Sequence, residues 1–194
     1  MTPGQRKGSA ISRLRKRPGS GSGHTLWIVS GPSSAGKTHL ISSPRLSELT
    51  SLERSAPVLF PAKLPDEITL ESDSYLHYNL LRPAQQAVNA DRDPAEALDF
   101  SGDEAWAKVL ATDAEVKALI LVADIDTLKE RSGGRDFNEP DGALAYKRDK
   151  WLALYDRVDL DALYSAWRAE LDSHGFPYVE VDSTEAGFPV LRAA

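Results

Sequence analysis

Three short apolar runs punctuate the chain: TLWIVS at residues 25–30, VKALILVAD at 116–124 and PYVEVDS at 177–183. Each is strand-sized, holds β-branched or aromatic residues and is bounded by glycine, proline or acidic residues, the pattern of a buried strand. Elsewhere the hydrophobic positions recur at helical intervals. Trp151, Leu154, Tyr155 and Val158, followed by Leu160, Leu163, Trp167 and Leu171, predict two helices, or one broken helix, ending at Gly175. GDEAWAKVLATDA and IDTLKERS read as two more, and GKTHLIS opens another that Pro44 ends or kinks. Two weaker strands are expected at APVLFP and at EITLESD, the latter closing on Asp73 with YLHYNLLR as a helix behind it. Pro83 to Ser101 reads as loop or weak helix, and GGRDFNEPDG as a mobile loop. Strands alternating with helices predict an α/β fold, a mainly parallel sheet with helices on both faces.

The chain's 194 residues suit one domain of ordinary size. Its 41% hydrophobic and 27% charged residues describe a globular chain, and no apolar run approaches the roughly 20 residues that cross a bilayer. No membrane partner is expected. Cysteine is absent, which removes disulfides, thiolate metal sites and a cysteine nucleophile, and four scattered histidines make a metal cage unsuited to this sequence.

Charge is unevenly spread. The opening MTPGQRKGSAISRLRKRPGSGSGH carries six basic residues and no acidic one, leaving 17 basic against 29 acidic residues in the remainder, a formal −12. That body is ill-suited to a broad nucleic-acid surface, because Lys and Arg neutralising phosphate dominate such binding. Residues 1–23 are therefore read as a solvated, disordered basic tail, the one segment with a charge suited to nucleic acid, and residues 24–194 as the domain. The tail lacks the apolar segment of a secretory signal, so a cytoplasmic location is the expectation.

Directly after TLWIVS stands GPSSAGKT, in which Gly31, Gly36, Lys37 and Thr38 complete the pattern G-x-x-x-x-G-K-[ST]. Glycines let the backbone wrap an anion without Cβ clashes, so that N–H groups across Ser33, Ser34, Ala35, Gly36, Lys37 and Thr38 turn inward. A helix opening at Gly36 adds the positive end of its dipole. Lys37 is placed to reach the β and γ phosphates, and the Thr38 hydroxyl to ligate Mg²⁺. A strong strand before and a helix-forming run after are the surroundings this motif requires.

GPSSAGKT resembles the Walker A loop of the P-loop kinases that phosphorylate small molecules, and its SSAGK core is especially similar to the chloramphenicol phosphotransferases. Shikimate, gluconate and nucleoside monophosphate kinases share that superfamily. The resemblance implies a P-loop NTPase fold, ATP and Mg²⁺ as cofactors, and transfer of the γ-phosphate to a hydroxyl of a small molecule. Such kinases carry an aspartate at the end of a strand beside the cradle, which by similarity makes Asp73 the acceptor-binding group and general base, or a magnesium ligand. Asp73 read as a simple helix cap is the plain alternative. Asp124, at the end of the apolar run, is its rival for orienting magnesium and reads equally well as a helix cap. In the same kinases arginines after the late strand close over ATP, and LKERSGGR places Arg131 and Arg135 in that role, within a lid around 131–141. Otherwise they are solvated cations at a helix end.

Tyr75, Tyr78 and Arg82 share one face of the helix expected after Asp73 and are candidates for the acceptor pocket. His77, in the same stretch, reads as an exposed or hydrogen-bonded residue more readily than as a catalyst. Two other functions fit the same cradle: a kinase of nucleotides or nucleic acid, and a nucleotide-dependent regulatory switch. No guanine-specific NKxD string supports the switch.

Overall fold

The computed structural model describes residues 23–53, 55–96, 98–134 and 143–194. Residues 1–22 of the basic tail and residues 135–141 of the expected lid, Arg135 among them, lie outside the described residues.

The three strong apolar runs form strands, as their pattern predicts: β1 (Thr25–Gly31), β4 (Glu115–Val122) and β5 (Tyr178–Asp182). With β2 (Val58–Leu59), β3 (Ser74–Asn79) and β6 (Val190–Ala193) they make one six-stranded sheet of order β2-β3-β1-β4-β5-β6. The first five strands run parallel and β6 lies antiparallel on β5. From β1 the chain passes to β2 and β3 on one side, and from β3 it crosses to β4 on the other side of β1, so the carboxyl ends of β1 and β3 mark a topological switch point, where open α/β sheets hold their ligands.

Seven helices connect these strands among the described residues. They are α1 (Lys37–Ile41), α2 (Pro44–Thr50), α3 (Arg82–Asn89), α4 (Glu104–Leu110), α5 (Ile125–Gly133), α6 (Ala143–Tyr155) and α7 (Leu160–His174). Pro44 does end the first helix, and it does so by starting the second, where its fixed φ and missing N–H suit the first helical position. The break near Val158 separates α6 from α7, and Asp159 caps α7 by accepting from Ala162 N. Gly175 closes α7 in the left-handed region at φ 67°, a conformation costly for a residue with a Cβ.

One assignment changes. EITLESD is irregular, and the strand is the next stretch, SYLHYN, where the pattern predicts a helix. Tyr75, His77 and Asn79 face one side of the sheet and Leu76 and Tyr78 the other, the two-residue alternation of a strand. Pro83 to Ser101 holds α3, with Pro83 in its first turn.

Helices cover both faces. On one, Trp167 of α7 donates to Ser30 Oγ (3.0 Å) and stacks on Tyr78 with ring centres 5.3 Å apart, while Trp106 of α4 meets Trp167 edge-on at 4.9 Å. On the other, Thr50 of α2 shares a hydrogen bond with the Tyr75 hydroxyl (3.0 Å). Burial of these large rings supplies much of the hydrophobic stabilisation, and each ring pair adds about 0.5–1.5 kcal/mol.

Candidate active site

The chain leaves β1 at Gly31 and turns through Pro32 to Gly36 into α1. Gly31 is tightly enclosed: a Cβ there would lie 3.0 Å from the Leu121 carbonyl oxygen and 3.2 Å from the Ala35 and Leu121 Cβ atoms, so a side chain would have to push its neighbours aside. Gly36, at φ 89°, occupies left-handed space that other residues enter only with strain. Ser34 is also left-handed, at φ 63°. Left-handed residues interleaved with ordinary ones turn successive N–H groups toward one concavity, the geometry of an anion nest.

Neighbouring elements hold that loop from behind. The Ser34 hydroxyl is 2.8 Å from the Ser132 hydroxyl of α5, and the Tyr155 hydroxyl of α6 donates to the Ser33 carbonyl. Lys37 is almost completely buried, and its ammonium donates to the carbonyls of Gly31 (2.8 Å) and Pro32 (2.5 Å). A phosphate entering the concavity thus meets a cation already desolvated and tethered, which lowers the ordering cost of binding.

In front of the loop opens a cleft of about 580 Å³, within the size range of small-molecule sites. Lys37 and Thr38 line it from α1, His77 and Asn79 from β3, Arg131 from α5, and Ser183 and Phe188 from the segment joining β5 to β6. Arg131 is fixed across the cleft by donating from Nη2 to the Ser183 carbonyl (2.6 Å). A strand ending in GPSSAGKT, a helix beginning at its lysine and a parallel sheet of order 2-3-1-4-5 are now together. The fold is that of the P-loop NTPases.

No protein-family model matches the chain, and no curated protein does. Among solved structures, the chain is similar to deoxyadenosine kinase from M. mycoides with bound dATP, at 16% identity and a TM-score of 0.45 over 84% of this chain and 93% of that one. It is also similar to the YorR protein from Bacillus subtilis in complex with phosphorylated GDP, at 17% identity and a TM-score of 0.39 over 84% of this chain and 88% of that one.

The cradle residues and Arg131 converge on the cleft, but the acceptor side differs from expectation. Asp73 precedes β3 instead of ending a strand. The register pairs Leu26 with Ser74, which puts Asp73 beside Thr25 at the amino edge of the sheet, where its Oδ1 accepts from Thr25 N (2.6 Å). It lies six residue steps before Asn79, about 20 Å at roughly 3.3 Å per step, so it reaches neither acceptor nor magnesium at the cradle. Its work is to satisfy the first N–H of β1.

Tyr75 and Tyr78, expected on one helix face, point to opposite sides of β3. Both are buried against helices, and burial, the largest cause in each case, pushes both phenols up from their ordinary pKa. Arg82 pairs with the buried Asp103 (2.5 Å), whose other oxygen accepts from Ala105 N and Trp106 N to cap α4. It is an anchor between α3 and α4. Asp124 caps α5, accepting from Thr127 N (2.8 Å) and Thr127 Oγ1 (2.7 Å), and those bonds hold its exposed carboxyl below the usual range.

What the sequence reading passed over lies at the carboxyl ends of β3 and β5. Asn79 sits in register with Gly31, and Ser183 follows the last residue of β5. Ser183 was within reach, because the carboxyl-edge argument applied to Asp73 holds for the end of PYVEVDS as well. His77 also lines the cleft, its ring 5.4 Å from that of Phe60. Burial first, and the Lys37 charge second, lower its pKa to about 4.

Proposed function

We propose that this chain is an ATP-dependent phosphotransferase that moves the γ-phosphate of ATP to a hydroxyl of a small molecule. The observation that carries the reading is the convergence of Lys37 and Arg131, from two separate helices, on one cleft in front of a glycine-bent loop. Lys37 and the loop amides gather the phosphates. Arg131, two-pronged and permanently charged, spreads its charge over the phosphoryl oxygens as negative charge redistributes in the transition state. Positioning and electrostatics of this kind are most of what phosphoryl transfer asks of a protein.

Magnesium fits as an ion brought in with the nucleotide. Mg²⁺ keeps several waters and takes phosphate oxygens as ligands, so one protein oxygen suffices, and the exposed Thr38 hydroxyl at the cleft is that oxygen. When bound, the ion neutralises charge on the β and γ phosphates. Among the described residues no group of three or more His, Cys, Asp or Glu side chains is arranged to hold a metal by itself.

The acceptor class includes sugars, antibiotics, other metabolites and nucleosides, with nucleotides and nucleic acid as the alternative. The test is ATP titration of the wild type and of Lys37→Ala, followed by ADP release with and without a panel of these acceptors. Loss of binding in the variant and acceptor-stimulated release are expected. Undiminished binding in Lys37→Ala would refute the assignment, and release stimulated by a protein partner alone would favour a regulatory switch. Deleting residues 1–23 tests the basic tail: activity on an oligonucleotide that survives the deletion removes the tail from the mechanism.

Among the described residues, no helix is long and apolar enough to cross a membrane.

A further inference from the structure

A phosphotransferase must hold its acceptor hydroxyl in line with the γ phosphorus, and an O–H group is held by something that accepts a hydrogen bond. Among the described residues, no carboxylate lines the cleft. The two acids expected in such roles are engaged elsewhere, Asp73 at the opposite sheet edge and Asp124 as a cap. Several polar groups that do line the cleft already have partners that fix their orientation. Asn79 Oδ1 accepts from Leu81 N (3.1 Å), the Ser34 hydroxyl is bound to Ser132, and the Ser183 hydroxyl donates to the Val122 carbonyl (3.0 Å). Thr38 belongs to the phosphate end.

Ser33 and His39 belong to that end too, Ser33 in the loop itself and His39 exposed on α1 with its ring 5.8 Å from that of Phe188, whereas His77 enters the cleft from β3, and its placement suits the task. It projects from the same face of β3 as Asn79, in register with Val29 two residues before the loop, and the Phe60 ring packs against its own. We propose that His77 is the acceptor-binding residue, a neutral imidazole whose unprotonated ring nitrogen receives the hydrogen bond of the acceptor hydroxyl beside the Lys37-bound phosphates. This rests on the phosphotransferase reading above. Burial and the Lys37 charge keep the ring neutral at ordinary pH, so it orients the hydroxyl without taking its proton. The acceptor oxygen forms its bond to the γ phosphorus as the bond from that phosphorus to the β–γ bridging oxygen breaks. The electron pair of the broken bond leaves with ADP, and the hydroxyl proton passes to solvent water once the new bond has acidified it.

The experiment follows ADP formation from Mg-ATP with water as the acceptor and with deoxyadenosine, thymidine, D-glucose and chloramphenicol. It compares wild type, His77→Ala and His77→Gln, with ATP affinity measured by fluorescence titration and folding by circular dichroism. The alanine variant is expected to lose about tenfold or more of turnover, the cost of one hydrogen bond to a reacting group, while ATP affinity stays within about twofold. The glutamine variant, whose amide oxygen accepts the same bond, is expected to recover to within about threefold of wild type. Turnover in folded His77→Ala within about twofold of wild type overturns the proposal, as does an ATP affinity that falls in step with turnover. A folded glutamine variant as poor as alanine overturns it too, and if alanine fails to fold, the glutamine result decides alone. A wild-type chain that neither binds nor consumes ATP overturns the phosphotransferase reading, and this proposal with it; one that does both and ignores loss of the ring overturns His77 only.

Discussion

His77 ties the chemistry of the cleft to the stability of the chain. A histidine ordinarily titrates near 6.5, and in the folded chain this one does so near 4. Between those values the unfolded chain binds a proton that the folded chain refuses, so stability rises with pH across that window and falls as the solution is acidified through it. Above about pH 6.5 both states are neutral there and the contribution vanishes. Thermal melts at pH 7 and pH 5 are expected to show a larger loss of Tm for wild type than for His77→Gln, by a few degrees at roughly 2–4 °C per kcal/mol for a chain of this size. Equal losses would show that the ring is more solvated than its packing indicates. Gly31 gives a sharper test. Gly31→Ala places a methyl group 3.0 Å from the Leu121 carbonyl oxygen, and overpacking of this kind costs about 1–3 kcal/mol. Both Tm and ATP affinity are expected to fall, because strand and loop share that residue.

The two aspartates first considered for chemistry are best separated by their secondary-structure elements. Asp124 is the N-cap of α5, and Asp124→Ala is expected to cost about 1 kcal/mol of stability while leaving ADP formation within about twofold of wild type. Asp73→Asn is expected to behave similarly, with a modest stability loss at the amino edge of the sheet and ordinary turnover. A hundredfold fall in turnover from either would return that residue to the mechanism. The sequence revealed elements where a single period dominated. TLWIVS and VKALILVAD are mostly apolar because both faces of a central strand are covered, and GPSSAGKT announces its own bend. SYLHYN misled for the opposite reason: tyrosine, histidine and asparagine alternate with leucine and tyrosine, and a helix period fits them as well as a strand period does. The β-branched and apolar residues of EITLESD drew the strand assignment six residues too early, and with it Asp73 to the wrong end of the sheet. The cradle was legible because its function lies in consecutive residues; the acceptor side was not, because it depends on register. Strand β6 escaped notice for a further reason. Its four residues are all exposed, with Val190 and Leu191 about half exposed at the sheet margin, so no burial pattern marks it.

At the scale of the molecule, one aromatic cluster joins the sheet to two helices. Trp167 touches Tyr78 of β3, Phe100 and Trp106 of α4, and its indole donates to Ser30 one residue before the loop begins. Trp167→Ala is expected to cost about 3–5 kcal/mol, measured by denaturant unfolding, the range for removing a large buried aromatic. A loss below 1 kcal/mol would mean that the cluster is not the core it resembles. The opposite face is lightly built by comparison, with the short helices α1 and α2 over β1 and β3, and the cleft opens at the carboxyl edge of that face. The bond from the Tyr155 hydroxyl to the Ser33 carbonyl carries the loop's position into α6. Trp151 lies one helical turn earlier on that helix and is half-buried, whereas Trp27, Trp106 and Trp167 are buried in the core. Any rearrangement of the loop around a nucleotide is therefore coupled to an indole at the solvent boundary, and the chain carries its own optical reporter, readable as a shift in intrinsic emission that Trp151→Phe removes.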